Sequence, residues 1–287
     1  MKIATAAYPM EALANWEAYA EKLERWVAEA EADLLVFPEY GSLELATITG
    51  RAAELQSSVD AVSELMPEVT ELHASIAAKY GCHILSASAP ERVGEVTVNR
   101  ARLFSPSGDS AVCDKQIMTR FEREDWGVSP GEPLTVLNTE LGRLGVLICY
   151  DAEFPLLARA LVEAGVEILL VPSCTDSHHG WNRVRIGAMA RALENQCITV
   201  QAPTVGNCPW SLAVDENYGA AGIYGPPDVG FAADGVIAQG ALDQPGWVCG
   251  EVDIATIDRV RAEGAQFNHR HWPEQSGRTT ARQVKLR

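Results

Sequence analysis

The 287-residue sequence is short of positive charge: 23 Lys and Arg stand against 39 Asp and Glu, a formal net charge of −16. Such a chain repels phosphate backbones and anionic lipid, so neither nucleic acid nor a membrane surface is an expected partner. It has no apolar run of the length a membrane span needs. The N-terminal MKIATAAYPM carries one lysine and a brief apolar stretch before Pro9 and Glu11, too little for a secretory signal, and reads as a first strand. The cysteines are seven, an odd number, scattered and without a CxxC pair. That excludes a disulfide framework and a structural zinc site and points to a reducing, cytoplasmic compartment. HExxH, long linkers, low-complexity blocks and strong tandem repeats are also missing.

What is present is the composition of a soluble globular protein, 47% hydrophobic and 22% charged. The length allows one large α/β domain or two smaller ones. Leu13, Trp16, Ala20, Leu23, Val27 and Ala30 recur at three- and four-residue steps, the signature of an amphipathic helix across 12–32. ADLLVFPEY follows as a short strand. A second helix is expected over Met66–Tyr80, then strands in CHILSAS, NRARLFSPSGDS and AVCDKQ. LTVLNTELGRLGVLIC reads as a hairpin turning near Leu141–Gly142. Pro155–Ala164 is a helix with proline in its first turn and Gly165 just past its end. EILLVPS and CITVQAP are strands around a helix over Val184–Gln196. Strands alternating with helices, mixed with hairpins, predict a mixed α/β sheet with helices on its outer faces.

Several apolar strands end on chemically useful residues: LLVF before Pro38–Glu39, VLI before Cys149, ILLV before Pro172–Ser173. Ligands of α/β sheets gather outside the carboxyl ends of strands, so Glu39, Cys149 and Ser173 are expected to line one crevice. A strand-end cysteine alone is an ordinary packing residue. A thiol nucleophile needs a base and a group that holds an oxyanion. None of the six histidines has a spacing that marks it as the base, and His178–His179 are the pair nearest a strand end. Carboxylate plus lysine is the other choice: Glu39 ends a buried strand, Lys115 follows AVCD, and Glu122 lies in RFEREDWGVSPG. Any one of these alone is an ordinary surface charge or salt-bridge member.

Together they form a pattern. FPEYGSLEL, DKQIMTRFEREDWGVSPGEP and GVLICYDAEFPLLAR, in that order, resemble the nitrilase superfamily of carbon–nitrogen hydrolases, and the likeness continues through VPSCTDSHHGWNRVRIGAMARALENQCITVQAP. It runs from Lys2 to about Asp253. The resemblance implies a four-layer αββα sandwich whose subunits pair as an αββα-αββα dimer. It assigns Glu39 as general base, Lys115 as cationic stabiliser, Cys149 as nucleophile and Glu122 as second glutamate, with Glu124 a rival for the last role. Tyr40, Trp126, Tyr150, Glu153, Ser173 and Cys174 are the candidate substrate-binding residues. No metal or organic cofactor is called for.

The implied chemistry is a thioester route that cleaves a small linear amide or N-carbamoyl substrate. Nitrile-cleaving relatives commonly follow the cysteine with Trp-Glu; Tyr150–Asp151 stand here, as in amidase and carbamoyl-hydrolase branches. A nitrilase, an acyltransferase and a non-catalytic scaffold are the alternatives. Glu153 stands four residues after the cysteine, where branches acting on anionic ω-amides often carry Arg. It either repels an anionic tail, unless Arg183 or Arg185 compensates, or caps the next helix. In water, moving a proton from Cys (about 8.5) to Glu (about 4.3) costs roughly 6 kcal/mol, so the site must narrow that gap. Burial that raises Glu39 and an ammonium that lowers Cys149 are the expected means. Residues 1–265 are read as the hydrolase domain and 266–287 as a basic arm. From Asn268 the arm carries Arg270, Arg278, Arg282, Lys285 and Arg287 against Glu274. A second acidic subunit of a homodimer or larger homo-oligomer is its expected partner.

Overall fold

The computed structural model describes residues 1–286. Its first sheet holds β1 (Lys2–Pro9), β2 (Leu34–Val36), β3 (His83–Leu85), β4 (Ala89–Val93), β5 (Val96–Phe104), β6 (Ser110–Asp114) and β7 (Val128–Ser129). Its second holds β8 (Leu137–Thr139), β9 (Gly142–Val146), β10 (Ile168–Ser173), β11 (Ile198–Asn207), β13 (Gly222–Tyr224) and β14 (Val236–Gln239), with β12 (Glu216–Asn217) on the end of β11. β15 (Gly246–Glu251) returns to the first sheet, antiparallel to β1 from Lys2↔Glu251 to Ala7↔Gly246. The two sheets form one hydrogen-bonded path, β4-β5-β3-β2-β1-β11-β10-β9-β8. Only Tyr8↔Thr204 and Pro9↔Val205 join its halves, and the path folds over at that seam.

The strands alternate between two cores, as the pleat requires. Ile3, Leu34, Val36 and Leu85 meet Val146, Ile168, Leu170 and Val200 between the sheets. Their neighbours Ala4, Leu35, Phe37 and Ile84 face α1 (Trp16–Ala30) and α3 (Leu55–Tyr80) through Leu23, Val27, Val62, Val69 and Ile76. The short α2 (Leu45–Ile48) lies between those two helices in the chain. On the far side, Leu169 packs under Ala158, Leu161 and Val162 of α4 (Pro155–Glu163), and α5 (His178–Asn195) covers β11. The layers are therefore α, β, β, α. Each fully buried Leu, Ile or Val contributes about 1.5–3 kcal/mol, and a one-residue slip in a strand would exchange its two faces.

α1 lies inside the expected span and is capped by Asn15, whose Oδ1 accepts the Ala18 N–H at 2.9 Å. α3 begins at Leu55, well before the expected Met66. Ser58, Val59, Ala61 and Val62 continue its buried face, and Pro67 is carried inside the helix with its ring toward solvent. α5 likewise starts at His178 rather than Val184, because Ser177 caps it by accepting the Gly180 N–H at 3.2 Å. At the C-terminus, α6 (Ile254–Glu263) and α7 (Asn268–His271) pack back on the body. Gln196 Nε2 donates to the carbonyls of Val260 and Gln266, both at 3.0 Å, and the Arg159 guanidinium lies 4.8 Å over the Trp272 ring. Residues 278–286 are exposed and without regular structure. Among the described residues no helix is long and apolar enough to cross a membrane.

Candidate active site

β1, β2 and β3 run parallel to β9, β10 and β11, so their carboxyl ends collect along one edge of the sandwich. Glu39 follows β2 and Lys115 follows β6, both of the first sheet. Cys149 follows β9 and Cys174 follows β10, both of the second. Glu39, Lys115, Glu122 and Cys149 line one cavity of about 400 Å³. Tyr40, Trp126, Tyr150, Glu153 and Cys174 line it as well. Ser173 does not: it is the last residue of β10, its hydroxyl faces the Ala202 carbonyl at 3.5 Å, and the backbone turns toward the cavity only one residue later.

At the floor, the Lys115 ammonium lies 2.7 Å from Glu39 Oε1 and 2.8 Å from both Glu122 oxygens. Glu39 Oε2 accepts the Cys174 N–H at 2.9 Å, and the Cys149 thiol lies close enough to the Glu39 carboxyl for each to shift the other's ionisation. The same sulfur is 3.8 Å from the Cys174 carbonyl. Glu122 accepts from the Tyr40 hydroxyl at 2.6 Å and from Thr119, N–H at 2.7 Å and hydroxyl at 2.8 Å. Glu124 lies outside, exposed and paired with Arg120 at 2.8 Å, so the carboxylate that reaches Lys115 is that of Glu122. Glu153 does not cap α4; it pairs with Arg183 at 3.2 Å at the cavity wall, while Arg185 turns to Gln239 at 2.9 Å. No histidine lines the cavity; His73 bonds the Val69 carbonyl inside α3 at 2.8 Å, and His178 pairs with Asp243 at 2.7 Å.

The electrostatics follow from this packing. Burial pushes the Glu39 carboxyl above its ordinary range, Lys115 pulls it back, and Glu122 adds to the rise. Burial would also raise Glu122, but the Lys115 ammonium and the hydroxyl of Tyr40 hold it below the usual value. Burial alone would discharge Lys115; its two carboxylates keep it firmly protonated. Cys149 departs from the expected lowering. Burial and the Glu39 charge together push its thiol well up, against the weaker pull of Lys115. The resting sulfur is therefore a neutral thiol beside the Glu39 carboxyl. Raising Glu39 acts to narrow the proton-transfer gap, and the rise of the Cys149 thiol acts to widen it.

Two residues of the site hold left-handed backbone without being glycine: Cys149 at φ +50° and Tyr40 at φ +55°. Such conformations cost of order 1–3 kcal/mol and cluster at functional sites. Gly187 of α5 lets its helix approach the Cys149 turn, since a Cβ there would lie 2.9 Å from the Ala152 carbonyl oxygen.

Asn99 escapes the sequence reading. Fully buried in β5, it donates from Nδ2 to Glu39 Oε1 at 2.9 Å, and its Oδ1 accepts the Ser88 hydroxyl at 2.6 Å. An asparagine amid strand residues, where its type is depleted, is the signal that could have found it. Thr119 was signalled too: Thr119-x-x-Glu122 is a capping-box spacing, and the Glu122 N–H returns to the Thr119 hydroxyl at 3.3 Å.

The carbon-nitrogen hydrolase family model matches residues 2–262. The chain belongs to the carbon-nitrogen hydrolase family. Over 269 residues it is 34% identical to the Bacillus subtilis (strain 168) protein named "Probable hydrolase YhcX", across 92% of this chain and 52% of that one. With the deaminated glutathione amidase of Bos taurus it shares 29% identity over 193 residues, 67% of this chain and 52% of the relative. The chain thus spans about half the length of these curated relatives. A solved carbon-nitrogen hydrolase from Helicobacter pylori G27 has the same fold, with a TM-score of 0.74, 21% identity, and coverage of 97% of this chain and 95% of that one. This member of the carbon-nitrogen hydrolase family is thus a mixed α/β sandwich.

Proposed function

We propose that this carbon-nitrogen hydrolase cleaves a small linear amide or N-carbamoyl compound through a thioester on Cys149. The observation that carries the reading is the meeting of Glu39, Lys115, Glu122 and the Cys149 thiol in one cavity, with the ammonium between both carboxylates. Sulfur attacks the substrate carbonyl carbon while Glu39 takes the thiol proton. Lys115 and the Tyr150 N–H hold the oxyanion. The tetrahedral species collapses, the C–N bond breaks, and Glu39 gives its proton to the departing amine or ammonia. Glu39 then removes a proton from water as the water attacks the thioester, releasing the acid and restoring the thiol. Glu122 holds Lys115 in place. Coupling proton removal to attack suits a resting thiol that is neutral.

Tyr150–Asp151 after the proposed nucleophile favour amide over nitrile. The Glu153–Arg183 pair neutralises one charge at the wall, which weakens the expectation that Glu153 repels an anionic tail. Transfer of the acyl group to an amine in place of water is the second reading; hydroxamate formation on adding hydroxylamine identifies it. Subunit pairing through the outer helical layer is supported by Leu156, Ile186 and Leu193, which leave an exposed apolar face on α4 and α5. Mass spectrometry during turnover of an amide library tests the main reading. A mass increase on Cys149 that matches the acyl half of a substrate is expected. Unchanged hydrolysis by Cys149→Ala refutes it.

A further inference from the structure

The proposed acid–base pair and the proposed nucleophile belong to different sheets. Glu39 and Lys115 extend from the first, Cys149 from the second. The sheets share a packed core, but among the described residues their strand pairing is confined to Tyr8↔Thr204 and Pro9↔Val205, so the loop ends that bear these groups need their own ties.

Asp151 lies two residues beyond Cys149 in the same 3-10 turn and is completely buried. Its carboxylate accepts only from backbone. Oδ1 takes the Ile117 N–H at 2.8 Å and the Gln116 N–H at 3.2 Å. Oδ2 takes the Gln116 N–H at 3.1 Å and the Ile148 N–H at 3.2 Å. Gln116 and Ile117 directly follow Lys115, and Ile148 directly precedes Cys149. One side chain therefore grips both segments. We propose that Asp151 is a positioning residue: it ties the strand end bearing Lys115 to the turn bearing Cys149 and so fixes the ammonium against the sulfur.

The local chemistry fits a clamp. Gln116 and Ile117 lie in an irregular, half-buried segment where no strand partner holds their N–H groups. A charged acceptor makes stronger hydrogen bonds than a neutral one. Burying that charge has a cost, and it raises the carboxyl to about 7 despite Lys115 and the three N–H groups. Other charged side chains on this turn are Arg191 of α5, which donates to the Ala152 carbonyl at 2.9 Å and pairs with Glu194 at 2.9 Å, and Arg183, which pairs with Glu153 at 3.2 Å. A buried carboxylate without a direct cation partner is an expensive way to tie a loop, and the gain is placement.

The proposal rests on Cys149 being the nucleophile, and its test separates the two. Asp151→Asn keeps the shape but turns an amide NH₂ toward either Ile117 or Ile148, breaking one side of the grip. Iodoacetamide labelling of the full chain at about pH 8, followed cysteine by cysteine by peptide mass spectrometry, needs no substrate. The expected result is a loss of about 10- to 100-fold in the Cys149 rate, the scale of a misplacement near 1 Å, with Cys113 and Cys197 as slow as before. An unchanged Cys149 rate overturns the clamp. So does a slowed Cys149 accompanied by faster Cys113 and Cys197, which marks general loosening. A wild-type Cys149 no faster than exposed Cys249 removes the nucleophile reading and this proposal with it. If Asp151→Asn does not fold, hydrogen exchange of the wild-type chain decides. The Gln116 and Ile117 amides are expected to be protected, and exchange at free-loop rates overturns the proposal.

Discussion

Replacing Lys115 by methionine leaves two buried carboxylates facing each other without a cation. In the wild type its ammonium lies 2.7 Å from Glu39 and 2.8 Å from Glu122. The variant has two ways out. It can keep both charges and lose the pairing, which costs about 3–5 kcal/mol for a buried ion pair robbed of one partner. Or it can hold a proton on one carboxyl, whose cost relative to an unfolded glutamate near 4.3 is about 1.36 kcal/mol per pH unit above that value. At about pH 5 the second route costs about 1 kcal/mol, and at about pH 8 about 5 kcal/mol. The folded variant then carries a proton that the unfolded chain has released, so its stability falls as pH rises. The penalty relative to wild type is thus expected to grow from about 1 to about 3–5 kcal/mol across that interval. Removing Lys115 also takes away the cation that holds the Asp151 carboxyl down, which adds to the same loss of stability as pH rises. Urea unfolding at both pH values, followed by tryptophan fluorescence, measures it. A penalty independent of pH, or none at about pH 8, would refute the claim that Lys115 compensates both carboxylates.

Activity on any amide found is expected to fall as pH drops through the region near 7, well above the ordinary carboxylate range. Glu39 must be ionised to accept the thiol proton and burial raises it, and Asp151, raised to about 7, loses an acceptor when protonated; an acid limb near 4 in a kcat/KM profile would contradict this. The Asp151 shift has the opposite sign for stability: ionising it costs folding free energy, so its contribution declines between about 4 and about 7, a slope that Asp151→Asn should remove from a Tm–pH curve. Tyr40→Phe deletes the 2.6 Å donor to Glu122 and is expected to cost about 1.5–3 kcal/mol in unfolding free energy, the range for a bond to a charged group; a neutral effect would mean that Glu122 is held by Lys115 and Thr119 alone. Ile186→Arg puts charge on the exposed face of α5 and is expected to lower the mass seen by light scattering, and a chain ended at Gly277 tests the basic arm by the same measurement.

The sequence makes the outer architecture legible where periodicity is strong. The α1 stripe and the hairpin between β8 and β9 sit where their patterns place them. The start of α3 was hidden because Pro67 looks like a first-turn residue, and only the buried face of Ser58, Val59, Ala61 and Val62 shows the helix continuing through it. The strands β12–β15 carry no alternation strong enough to announce them; β13 is three residues and begins at Gly222. The two-sheet layering came from family resemblance, since period-2 strands buried on both faces read as continuous apolar runs. The residues that meet at the cavity floor were legible as ordered motifs. Of their supports, Thr119 stood in a readable capping-box spacing, whereas Asn99 and Asp151 were hidden, because each acts on a segment distant in sequence or on bare backbone.

The division of the cavity between two sheets bears on how this protein loses competence. Neither half of the chain can assemble the reactive centre without the other. A slight shear across the sandwich would part the Cys149 sulfur from the Glu39 carboxyl while every helix and strand survived intact. Reactivity of one thiol therefore registers closure of the molecule long before spectroscopic measures of helix content change, and mild heat or denaturant should silence this chain while it still looks folded.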